Sequence, residues 1–168
     1  MFGLTSLGVV HTLLSLIALV AGFWSLVQYK RIAPQTRLGQ VYIWSTVLVC
    51  LTGFGIFQHG GFGKPHMLGI ITLVVLAVAA LAGKPRPFLS FGSAAPYVET
   101  ICYSLTLFLH IIPATTEGLT RLPAGAPVFA NAEAPQLPGI YGVFFLIFLV
   151  GTALQVRALR RGGAGVSP

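Results

Sequence analysis

The chain has 168 residues, of which 55% are hydrophobic and only 8% charged, and its mean hydropathy is +0.87. Soluble domains carry about 25% charged residues, so these figures exclude a water-soluble globular fold and point to one integral membrane domain, residues 1–168. The net charge of +7 does not mark a nucleic-acid partner, because the basic residues sit at the ends of apolar runs, where they set topology.

The first apolar run covers about Leu7 to Val27. It is too long for the apolar core of a signal peptide, and no Lys or Arg precedes it. It therefore reads as a retained helix. Gly8, His11, Ser15, Ala18, Gly22 and Ser25 recur along it at helical spacing, a small and polar stripe of the kind that lets neighbouring helices approach. Residues 30–38 form a basic connection broken by Pro34. The second run covers about Gly39 to Gln58, with Tyr42, Thr46, Val49 and Gly53 as its packing face. Trp24 and Trp44 fall toward the basic side, as in an aromatic belt. A glycine-rich turn follows at 59–65, with Pro65 suited to the first turn of a third helix. That helix runs to about Ala82.

After a Ser/Gly/Ala loop at 87–95, a fourth helix is expected from about Pro96 to Thr120, kinked at Pro113. Tyr103, Thr106, His110, Ala114 and Glu117 then share one face. Residues 121–137 form the longest connection, rich in Pro and Ala. The fifth run covers about Gly139 to Gln155, and a flexible tail is expected from Gly162. Cys50 and Cys102 lie inside apolar runs and read as small core residues.

The resulting fold class is all-α: a polytopic membrane bundle of five transmembrane helices. Eight of the ten basic residues fall on the C-terminal side and only Lys64 and Arg121 on the N-terminal side. The positive-inside rule then puts the C-terminus in the cytoplasm and the N-terminus outside a bacterial inner membrane.

The chain has four histidines and no aspartate, which argues against aspartate-based hydrolysis and most Mg²⁺ sites. His11 lies about six residues into the first helix, about 9 Å deep at 1.5 Å per residue. His110 is expected at similar depth, with His59 and His66 bracketing the outer turn and Glu117 on the face of His110. Ionisable groups inside membrane helices are costly and point to function. Imidazole suits haem iron, copper and zinc. The sequence reading is thus an outer-side site at His11, His110, His66 and His59. It would hold haem b or a transition metal (Glu117 being a further metal ligand), or a quinone headgroup, and serve electron transfer or quinone chemistry. The bland readings are interhelical hydrogen bonds for His11 and His110, an ordinary turn for His59 and His66, and pairing of Glu117 with Arg121 one turn on. The alternative function is that of a non-catalytic accessory or scaffold subunit of a larger membrane complex.

Several short motifs occur in order: His11, Lys30, Arg37-Leu38-Gly39-Gln40-Val41-Tyr42, Phe62-Gly63 before His66, and Glu117 to Arg121 to Pro123. In this order the chain resembles a group of bacterial polytopic membrane proteins of unknown function, over roughly residues 8–123. The histidine layout of that group is loosely similar to membrane dihaem cytochromes b, which place a histidine pair near each membrane face. This chain has Gln35 and Glu99 where the cytoplasmic pair would fall, so the resemblance implies an outer site alone.

Overall fold

The computed structural model describes residues 5–57, 61–84 and 91–162, and among them the chain forms helices and turns with no strand. Five long helices follow one another: α1 (Ser6–Tyr29), α2 (Arg37–Gly53), α3 (Lys64–Ala82), α4 (Ala95–Arg121) and α5 (Leu137–Arg160). Their ends obey local chemistry. The Thr5 hydroxyl accepts the Gly8 N–H at 3.1 Å and starts α1, while Lys30 closes it in the left-handed conformation at φ 59. Thr36 starts α2 by accepting the Gly39 N–H at 3.1 Å. Pro65 and Pro96 occupy the first turns of α3 and α4, where no N–H is missed. α4 continues through Pro113 to Arg121.

The interior is small and polar. Ala18, Ala21, Gly22, Ser25, Thr46, Thr100 and Thr106 are buried. Val20, Trp24, Val27, Trp44, Val74, Leu146 and Val150 are each more than half exposed. In water this arrangement would leave the apolar surface unburied, whereas in a bilayer it is the expected one, because helices there associate through small and hydrogen-bonding residues. α1, α3, α4 and α5 are long and apolar enough to cross a membrane. α2 has 17 residues, about 26 Å at 1.5 Å per residue.

Successive helices are antiparallel. His11 near the start of α1 meets Thr52 near the end of α2. Gly69 in the first half of α3 meets Phe54 beyond α2, and Gly83 beyond α3 meets Glu99 near the start of α4. We call the end where α1 begins the upper end. α1 to α4 close into a ring, each touching two others, and α5 packs on α4 alone. The predicted stripe of α1 faces inward at Gly8, Ala18, Gly22 and Ser25. Gly22 lets α1, α2 and α4 converge: a Cβ there would lie 2.9 Å from Leu107 Cδ1 and 3.0 Å from the Tyr42 ring.

Candidate functional site

His11 is seated against the upper end of α2. Its Nδ1 is 3.1 Å from the Thr52 hydroxyl oxygen. Gly53 makes the seat, since a Cβ there would come within 3.3 Å of the imidazole Cε1. The network favours one tautomer. The single Thr52 O–H has two backbone carbonyls in reach, Leu48 at 2.7 Å and Val49 at 3.1 Å. With the hydroxyl directed to either, Thr52 Oγ1 accepts, His11 Nδ1 carries the proton, and Nε2 keeps a lone pair.

His66 has the opposite tautomer. Its Nδ1 accepts the Gly63 N–H at 3.2 Å, closing the first turn of α3. Nε2 then carries the proton, and this N–H is buried without an acceptor. The ring lies between Phe57 and Phe62, with centroids 4.9 and 5.2 Å away. In this arrangement His66 offers a hydrogen-bond donor and no lone pair to a metal.

His110 is 5% exposed, and both its ring nitrogens lack a hydrogen-bond partner. The Thr106 carbonyl, one turn back, is near the ring but not in hydrogen-bond geometry. Tyr42 approaches the ring edge-on at 6.5 Å between centroids. The Tyr42 hydroxyl is 2.8 Å from Thr106 Oγ1, which donates to the Tyr103 carbonyl at 2.8 Å, so Tyr42 is the donor. Beside Tyr42, the buried Thr46 hydroxyl also lacks a partner.

His11 and His110 lie at different distances from the ends of their helices. His11 is five residues from the start of α1, about 8 Å at 1.5 Å per residue. His110 is eleven residues from the end of α4, about 16 Å by the same rise. They are still within electrostatic range of each other, and Glu117 is within range of His11. Glu117 is ion-paired with Arg121 one turn on, as the spacing predicts. His59 lies outside the described residues.

Among the described residues no three His, Cys, Asp or Glu side chains converge as a metal-ion site would need. Cys50 is buried and Cys102 half-buried, both free thiols. Thr52 holds His11, while Thr106 serves Tyr42. Thr52 lies three residues beyond Val49 on the packing face of α2, which is the signal that could have found it. Glu99, near the start of α4, packs across on Gly83 and is in range of Arg31.

The arrangement thus offers a lone pair on a partly buried His11, a donor on His66 at the first turn of α3 and an unengaged, buried imidazole at His110; His11 and His110 are in electrostatic range of each other, and His66 stands with Phe57 and Phe62. No family model matches this chain, and neither a curated protein nor a solved structure matches it.

Proposed function

We propose that this is a multi-pass inner-membrane protein whose histidines bind a quinone headgroup in the outer half of the membrane and handle its protons. It would work as part of a larger membrane complex that supplies or removes the electrons. The observation that carries the reading is His110, an imidazole buried at 5% exposure with neither nitrogen engaged. Leaving such a group unpaired costs about 1–3 kcal/mol, so a polar occupant is the physical expectation. A quinone has two carbonyl oxygens that accept hydrogen bonds, and its reduced form has two hydroxyls that donate them. Imidazoles of both tautomers meet both needs. His11 Nε2 is a base of the right kind for a hydroquinone proton, and His66 supplies a donor among aromatic rings. Lipid-soluble headgroups also reach such a site from the bilayer without crossing water.

The test is equilibrium binding of a short-chain benzoquinone to the purified protein in detergent. Saturable binding is expected, weakened at least about tenfold in His110→Ala and in His11→Ala, with elution as an assembled species unchanged. Absence of saturable binding by the wild type would end the quinone reading. An optical spectrum and metal analysis of the same sample settle the occupant: a Soret band lost in His110→Ala would put haem b in its place.

A further inference from the structure

We infer that Arg31 and Glu99, at the lower end of the bundle, hold the headgroup of a phospholipid that carries both a phosphate and a primary ammonium, as phosphatidylethanolamine does. Arg31 follows α1, and Glu99 is in the second turn of α4. Ile32, next to Arg31, and Tyr103, one turn up from Glu99, belong to one packed cluster and are 1% and 2% exposed. The two charges therefore stand at the lower edge of that cluster, in electrostatic range of each other.

Both are fixed in place. Lys30 turns the chain in the left-handed conformation at φ 59. The Arg31 carbonyl then accepts from the Ser25 hydroxyl at 3.1 Å, and the Lys30 carbonyl from Gln155 Nε2 at 3.0 Å. Ile32 and Ala33, at 1% and 0% exposure, anchor the next two positions. The Glu99 carboxylate lies over Gly83, where a Cβ would come within 2.7 Å of Oε2 and 2.9 Å of Cδ. Gly83 thus makes the room that the carboxylate occupies.

Despite their opposite charges, no ion pair joins Arg31 to Glu99 among the described residues. Arg31 Nε is buried without a hydrogen-bond partner. A buried donor on a charged group is costly to leave unpaired, so an acceptor is the physical expectation at Arg31 and a donor at Glu99. A phosphate meets the first need, because its oxygens match the planar guanidinium fork. A primary ammonium meets the second with its N–H donors, which a quaternary ammonium lacks. One headgroup supplies both, whereas an anionic headgroup would bring its charge against Glu99. The Lys30 ammonium is engaged at the end of α1, donating to the Val27 carbonyl at 3.0 Å.

The depth also suits a headgroup. Glu99 is four residues from the start of α4, about 6 Å at 1.5 Å per residue. Both side chains are half-buried, so polar atoms of a lipid reach them from the interface. Trp24 and Trp44, 60% and 63% exposed, mark the same end as a membrane interface. The pair is at the end opposite His11 and uses no histidine, so this reading and the quinone reading fail separately.

The experiment is native mass spectrometry of the delipidated full chain in detergent, titrated in turn with dilauroyl phosphatidylethanolamine, phosphatidylcholine and phosphatidylglycerol. Wild type should bind the ethanolamine lipid at least about tenfold tighter than either of the others. Glu99→Gln should bring the ethanolamine lipid down to the level of the choline lipid and leave the glycerol lipid no weaker. Arg31→Gln should weaken all three. Arg157→Gln is the control: Arg157 is exposed on α5 at the same end, and its loss should leave the preference as in wild type. Glu99→Gln is nearly isosteric and decides the matter if Arg31→Gln does not assemble. Equal or tighter wild-type binding of the glycerol lipid is what the basic lower end would give through charge alone, and it would overturn the site. So would a preference kept in Glu99→Gln, unweakened binding in Arg31→Gln, or a preference lost in Arg157→Gln.

Discussion

At the scale of single residues, close packing is set by glycines whose neighbours are backbone or rigid rings. Gly39 is the extreme case. A Cβ there would lie 1.9 Å from the Ala33 carbonyl oxygen and 2.6 Å from its carbon. That carbonyl also accepts from the Thr36 hydroxyl at 2.8 Å and the Thr36 N–H at 3.0 Å. The turn into α2 therefore cannot yield without losing its cap. Gly39→Ala should cost about 3 kcal/mol, at the upper end of overpacking effects. Gly142, in α5, has nothing within 4 Å of its Cβ position, so Gly142→Ala should be neutral or stabilising by up to about 1 kcal/mol from helix propensity. Thermal unfolding of both variants in detergent checks the contrast, and equal melting would refute it. The histidine contacts belong to this scale too: one hydroxyl seats His11, and one backbone N–H seats His66.

Among the elements, α5 differs from the rest. It packs on α4 alone, and of its residues only Leu137 is buried. Three attachments hold it. Tyr141 meets Thr116 at 2.6 Å near the upper end. Phe108 packs with Phe145 and Phe148 in the middle, with centroids 5.6 Å apart for each pair. Gln155 accepts from Ser104 at 2.8 Å and donates to the Lys30 carbonyl at 3.0 Å near the lower end. Interhelical polar contacts in membranes average about 0.6 kcal/mol, so Gln155→Ala, which removes two, should cost about 1 kcal/mol. Because α5 packs along α4 and reaches past it at the Lys30 carbonyl, at the far end from His11, quinone binding should stay at the wild-type level in that variant. A loss of binding would make α5 part of the site.

For the whole molecule, the distribution of basic residues distinguishes the two ends. Lys30, Arg31, Arg37, Lys84, Arg157, Arg160 and Arg161 stand at the lower end among the described residues, and Lys64 and Arg121 at the upper. Lys64 there pairs with Glu133 at 3.1 Å, tying the long connection to the first turn of α3. This surface contact contributes little to stability. We propose, on the positive-inside rule, that the lower end faces the cytoplasm. A reporter active only in the cytoplasm should therefore work when fused after Pro168, and activity of an exterior-only reporter at that position would reverse the assignment.

The sequence by itself determined what a linear pattern can carry. Apolar run length and the prolines at 65 and 96 set the helices. The small stripe of α1 named its inward face, and Tyr42, Thr46 and Val49 named that of α2, because helical period converts spacing into direction. The i,i+4 spacing was enough for the Glu117–Arg121 pair. Tertiary structure alone decided the rest, because it depends on contacts between residues far apart in sequence. It brought His11 and His110 within electrostatic range of each other across 99 residues of chain. It chose Thr52 as the partner of His11 across 41 residues, and Thr106 as that of Tyr42 across 64. It turned His66 into an end cap stacked between two phenylalanines. It left His110 without a partner, and no pattern in the chain reports a hydrogen bond that is not made.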